Sequence, residues 1–372
     1  MPRVIWAVLL AVLVTAAAGS VLRQGDSSSG DHDDCHKGRI RKRTLKMIKE
    51  IPFSGLFRDL KNSTVFEASG IAYVRGQFYT IFDNAMSIGV SDDRFQFRDP
   101  GNRLIGDWEP ESQFEGIAYV PENDTFLLLH EAVKHGESVY KPQVREVKLR
   151  KDLSGYDVHA VCSIDFELEA ENKGFESINY VHTPDGPFLL GLCEGNHCKG
   201  GEEGQDPGHG RIVVSELRWQ KDGSCLWEPV KTIKVPKSAF FKDYAAMAYN
   251  YQTRKFAILS QEDAAFWVGD FDGDSLEFTS EEGEVFHLPR DNHCEIIYCN
   301  AEGIQWIDNY RVVITSDKAK ARQPYWCDQK DQSVHLFAMP RAWDPYVPAA
   351  EALAKAAAEE AAEEAQRAAA EL

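Results

Sequence analysis

The sequence predicts an all-β fold, a five-bladed β-propeller whose N-terminal strand closes the last blade, followed by a helical or disordered C-terminal tail. Three observations predict it. One short strand motif recurs five times, a second aliphatic strand follows each copy, and helical periodicity is absent across residues 44–345.

The motif runs acidic or small, small, aliphatic, small or polar, aromatic. Its copies are Ser69-Gly70-Ile71-Ala72-Tyr73, Glu115-Gly116-Ile117-Ala118-Tyr119, Glu176-Ser177-Ile178-Asn179-Tyr180, Ala245-Ala246-Met247-Ala248-Tyr249 and Glu302-Gly303-Ile304-Gln305-Trp306. Their aromatic residues stand 46, 61, 69 and 57 positions apart, room for a four-stranded unit with loops. The second strands are Phe78 to Phe82, Phe126 to Leu129, Phe188 to Leu192, Phe256 to Leu259 and Val312 to Thr315. Turn residues such as Pro121-Glu122-Asn123-Asp124 and Pro184-Asp185-Gly186 join the pairs into hairpins.

Third and fourth strands follow in most units, as in Gln143 to Leu149 with His159 to Phe166, and Arg211 to Trp219 with Leu226 to Val235. The fifth unit has only three strands, ending with Ser333 to Met339. The missing one is expected from Thr44 to Ile51, so that the two ends of the domain pair and few edges remain open. A β-sandwich would not explain five spaced copies of one strand pair.

Four segments follow: residues 1–20 as a signal peptide or signal anchor, 21–43 as a flexible stem, 44–345 as the propeller and 346–372 as an Ala/Glu-rich tail. Arg3 precedes an apolar stretch and the small residues Ala16 to Ser20 suit cleavage, so the expected location is secreted or lumenal, with a type II membrane anchor as the alternative. Asn62 and Asn123 head glycosylation sequons, and the eight cysteines suit disulfides in an exported chain. Cys193 and Cys198 are close enough to staple one loop. A zinc site from Cys193, His197 and Cys198 lacks a second ligand pair. The net charge of −18 disfavours nucleic acid and anionic membranes and favours cations.

Hairpin geometry places the start of each first strand and the end of each second strand on one rim. The starts supply Glu67, Ser69, Glu115, Glu176 and Glu302. The ends supply Asp83, Glu131, Glu194, Glu262, Asp263 and Asp317. So many carboxylates around one axis repel and raise each other's pKa, and a divalent cation relieves the conflict. Calcium, with loose coordination by about six to eight oxygens, suits such a ring better than magnesium. The run Asp270-Phe271-Asp272-Gly273-Asp274 has the alternating acids of a calcium loop, but Ser275 stands where an EF-hand has glycine, so it reads as a polar hairpin. His197, His209 and His293 are candidate proton carriers. No nucleophile motif is present, and the catalytic residues are unknown.

The repeated Glu-Gly-Ile-Ala-Tyr strand followed by an aliphatic strand ending in an acid resembles the SdiA-regulated family of exported propellers, over roughly residues 44–340. That resemblance implies five blades and a channel calcium held by Glu115, Glu176 and Glu302. Ser69 and Ala245 depart from the motif. A looser similarity joins the chain to calcium-activated nucleotidases and to gluconolactonase- and phytase-like propellers. The expected function is a calcium-binding interaction module, a monomer taking a ligand or protein at its acidic face. The alternative is a calcium-dependent hydrolase of a phosphate ester, nucleotide or lactone, with Glu131, Glu194 and Asp263 as candidate bases. Carbohydrate binding is a third reading, from Trp108, Trp267, Trp306 and Tyr325.

Overall fold

The structure is a computed structural model that describes residues 42–60, 64–107, 112–135, 139–168 and 174–370. Strand β1 (Lys46–Pro52) leads into a first antiparallel meander of β2 (Ala68–Val74), β3 (Gln77–Phe82), β4 (Ala85–Asp92) and β5 (Arg103–Ile105). The second holds β6 (Phe114–Val120), β7 (Thr125–His135), β8 (Val139–Leu149) and β9 (Tyr156–Ile164). The third holds β10 (Phe175–Thr183), β11 (Gly186–Cys193), β12 (Arg211–Trp219) and β13 (Cys225–Lys234). The fourth holds β14 (Ala246–Asn250), β15 (Lys255–Ser260), β16 (Ala265–Asp272) and β17 (Glu277–His287). The last consists of β18 (Ala301–Trp306), β19 (Arg311–Ser316) and β20 (Ser333–Ala338), with β1 added beside β20. The second and third meanders form one eight-stranded sheet through a short parallel pairing of Leu226 and Trp227 with Ser163 and Ile164.

The first strands of successive meanders touch one another, and β18 returns to β2, so they close a ring. Each of five clusters of buried apolar side chains lies between two neighbouring meanders, as where Ile88 and Val90 meet Ile117 and Leu128. Inner strands are therefore packed on both faces. β14 and β15 are buried throughout, whereas β13 and β17 are mostly half-buried or exposed. This radial gradient explains why the inner strands read as near-continuous apolar runs, and the arrangement is a β-propeller.

The motif's small second residue has a steric cause. A Cβ on Gly116 would lie 2.8 Å from the backbone nitrogen of Ile178, and one on Gly303 would lie 3.2 Å from the Cα of Gly70. The first strands approach so closely at the axis that a larger side chain would push the ring open.

The closing pair runs antiparallel from Lys46 opposite Ala338 to Pro52 opposite Ser333. It is fixed by Glu50, which meets the buried His335 at 3.3 Å and pairs with Lys330. The His335 hydrogen bond outweighs burial and, with Lys330, holds the Glu50 carboxyl down at about 2.

Disulfides join Cys162 to Cys225, Cys193 to Cys198 and Cys299 to Cys327, and no cysteine is free among the described residues. The first ties β9 to β13 across two meanders. Residues 349–370 of the tail form a helix, Ala349–Ala370. Its start is docked where Asp270 accepts from the Ala349 amide and from Lys255, each at 2.7 Å. No helix of the described residues is long and apolar enough to cross a membrane. The N-terminal segment 1–20, nearly all of the stem 21–43 and the Asn62 sequon lie outside the described residues. Asn123 is exposed in the β6–β7 turn.

Candidate metal centre at the channel mouth

The acidic slot of the motif sits on a backbone irregularity. In four meanders the pairing of first and second strands slips by one residue at that slot: between Ala68 and Gly70, Phe114 and Gly116, Phe175 and Ser177, and Ala301 and Gly303. Ser69, Glu115, Glu176 and Glu302 are thus the extra residues of β-bulges, which release them from the alternating in–out pattern of the strand. In the fourth meander, where Ala245 holds the slot, β14 and β15 pair without a slip.

The second acid of each meander is fixed by one repeated hydrogen bond. The amides of Asp83, Glu131, Glu194 and Asp317 donate to the carbonyls of Glu67, Gln113, Gly174 and Asn300, at 2.7 to 3.2 Å. Each acceptor stands two residues before a motif. The fourth meander makes the same link with a side chain: the Gln261 amide donates to Oδ2 of Asp243, at 2.8 Å. Both ends of every hairpin are thereby held on one rim.

The expected residues divide into groups. Glu131, Glu176 and Glu194 bring carboxylate oxygens within 4.8 Å of one another, and all three are half-buried. Gly174 seats Glu131, its amide donating to Oε1 at 2.9 Å. On the opposite arc Glu302 accepts from Gln261 at 2.6 Å. Glu67 is paired with Lys318 at 3.4 Å. Ser69 is buried and its hydroxyl donates to the Phe114 carbonyl. Asp263 accepts from the Ser260 hydroxyl at 3.1 Å, and Glu262 is exposed.

Electrostatics link the two arcs. Burial, and then the charges of Glu176, Asp83, Glu302 and Glu131, hold Glu115 well above the usual carboxylate range. Burial and then Asp317 do the same to Glu302, opposed in part by Lys320. Burial, with Glu67 and Asp83, pushes Asp317 up to about 7. Half-buried carboxylates of several meanders thus share one field. On the axis a narrow pocket is lined by motif residues including Gly70, Gly116, Ser177, Ala246 and Gly303.

Two residues of the rim were not read from the sequence. Asp243, raised to about 6 by burial, substitutes for a backbone carbonyl and also accepts from the Ser260 hydroxyl. Lys320 reaches Gln261 at 3.4 Å. The available signal was Asp243's place two residues before Ala245, the one copy without a polar slot residue. The 270–274 run ends β16 and enters the hairpin turn to β17, with Asp272 and Asp274 both at 3.3 Å from Arg254. Trp267 and Trp306 are buried in cores, which removes them from any sugar-binding surface, while Tyr325 is exposed. Trp108 lies outside the described residues.

No protein-family model and no curated protein matches the chain. Among solved structures it is similar to a PQQ-bound aldose sugar dehydrogenase from Streptomyces coelicolor (TM-score 0.44, 11% identity, 80% of this chain and 98% of that one). It is also similar to a putative glucose dehydrogenase from Thermus thermophilus (0.45, 12%, 79% and 99%). A third is a GH43 β-1,3-galactosidase with galactodeoxynojirimycin (0.42, 10%, 80% and 97%). These are β-propeller folds. At such identities no activity transfers from them.

Proposed function

We propose that the chain is an exported five-bladed propeller of the SdiA-regulated type, which binds calcium at the channel mouth and takes a ligand or protein on that acidic face. The carrying observation is the convergence of Glu131, Glu176 and Glu194 to within 4.8 Å beside Glu115, whose proton affinity is raised by burial and then by its acidic neighbours. Oxygens on a calcium ion, at bonds of ~2.3–2.6 Å, stand up to ~5 Å apart, so the spacing suits calcium. The donor set is oxygen only, which disfavours soft metals. The ion would join the second and third meanders and relieve the repulsion that reaches Glu115 and Glu302. Five inter-meander cores support the blade count, and three disulfides support an oxidising compartment.

The test is calorimetric titration of the chelator-treated protein with calcium and with magnesium. One calcium site, weakened at least about tenfold in Glu131→Gln and Glu194→Gln, supports the reading. Equal binding by wild type and both variants overturns the site.

One observation favours the hydrolase alternative: Asp317, held at about 7, lies in the range of a general acid or base at neutral pH. Calcium-dependent turnover of a nucleotide, phosphate ester or lactone, lost in Asp317→Asn, would establish it. No turnover of any of the three would leave the binding module.

A further inference from the structure

A second group of ligand side chains lies outside the acidic ring, in the 194–210 segment between β11 and β12. We propose that His197, Asp206 and His209 form a zinc site with three protein ligands and a fourth position open to water. One nitrogen from each imidazole and one Asp206 oxygen all lie within 4.8 Å of one another. Oδ2 of Asp206 is 3.6 Å from Nε2 of His197 and 3.4 Å from Nε2 of His209. Ligands of a tetrahedral zinc ion, with bonds of ~2.0–2.1 Å, stand ~3.3–3.4 Å apart, so the atoms are spaced for one ion between them. Two imidazoles with one carboxylate is a donor set suited to zinc and poor for calcium, which takes oxygen.

The segment is built to hold these side chains in place. The Cys193–Cys198 disulfide closes a tight loop around His197, whose backbone is left-handed at φ 59°. The same bond removes both thiols from any zinc site of the Cys193, His197 and Cys198 kind, and leaves the histidines with a carboxylate instead. The His197 amide donates to the His209 carbonyl at 2.9 Å, so the two ligands are clamped to each other through the backbone. Their rings stack with centroids 4.3 Å apart. Beneath them the fully buried Asn196 accepts from the His209 amide at 2.7 Å and donates to the carbonyls of Gly204, Phe241 and Lys242. Tyr244 donates to the same Asn196 oxygen at 3.1 Å. Asn196 thus fixes the turn that carries His197 and the strand entry that carries His209. Asp206 is exposed on the intervening turn, where its carboxylate can close on an ion.

The experiment titrates the purified protein, freed of metal and resupplied with calcium, with zinc in a calorimeter and with cobalt by visible absorption. The expected result is one zinc site, a tetrahedral cobalt spectrum, and affinity at least about tenfold weaker in both Asp206→Asn and His209→Gln. The calcium response should stay intact in both variants, which shows that they fold and separates this site from the acidic ring. Asp206 is exposed, so its variant decides the matter if His209→Gln unfolds. Absence of zinc binding in wild type overturns the proposal. So does unchanged zinc affinity in Asp206→Asn.

Discussion

Gln261 donates a 2.6 Å hydrogen bond from Nε2 to Oε1 of Glu302, joining the end of β15 to the bulge of β18. The meander without an acid in its motif slot therefore reaches the ring through an amide. Its neighbour's carboxylate accepts that bond through one oxygen, and burial, then the charges of Asp317 and Asp83, raise its proton affinity. Each meander contributes to one shared electrostatic centre, and calcium binding should depend on residues of several.

Glu115→Gln combined with Glu302→Gln should abolish the calcium-induced rise in thermal midpoint. The metal-free double variant should be as stable as wild type or more so, because the folded chain no longer has to hold two carboxyls whose ionisation burial and acidic neighbours oppose. A calcium shift equal to that of wild type would remove both residues from the site.

The pH dependence of the metal-free protein follows from the raised carboxyls. Glu115, Glu302 and Asp317 keep protons in the folded chain that the unfolded chain releases. Between the ordinary carboxylate range and about 7, the folded state binds more protons, so stability falls as pH rises. Glu50 acts in the opposite sense: its carboxyl sits at about 2, so its contribution is present above the ordinary range and lost as pH falls toward 2. The metal-free midpoint should therefore peak on the acid side of neutrality, and calcium should shift the peak upward. Thermal scans with chelator from about pH 4 to about pH 8 check this. A midpoint that rises between about 5 and 7 without metal contradicts it.

Gly174→Ala should weaken calcium binding. A Cβ there would lie 2.7 Å from both Cγ and the backbone oxygen of Glu131. The side chain that Gly174 seats would have to move, at a stability cost of about 1–3 kcal/mol. Calorimetry should show at least about tenfold lower affinity. Unaltered affinity would mean that Glu131 is not a ligand.

Replacing Cys162 and Cys225 by serine should lower stability in denaturant by about 2–4 kcal/mol, since the bond closes a separation of 63 residues between two meanders. Guanidinium unfolding of the oxidised wild type and the variant measures it, and coincident curves would contradict it.

The motif was legible because its chemistry repeats. Glycine or another small residue recurs where first strands meet at the axis, and the acids recur where bulges face the mouth. The pairing of Thr44 to Ile51 with the last strand was legible as a missing fourth strand, and β1 lies there. The short β5 and the outer β17 were not: three residues are too few to show an alternation, and β17 carries polar residues at both faces. The partition of the acids was hidden as well. Nothing in spacing distinguishes Glu67, which Lys318 neutralises, from Glu131, which meets Glu176 and Glu194. Lys318 lies 251 positions from Glu67, and only ring closure joins them.

The most direct measurement is the thermal midpoint of the purified protein at neutral pH, first with excess chelator and then with excess calcium. A rise of several degrees with calcium, absent with magnesium at the same concentration, is what a carboxylate ring relieved by one calcium ion predicts. The same midpoint under both conditions would contradict a calcium site at the channel mouth.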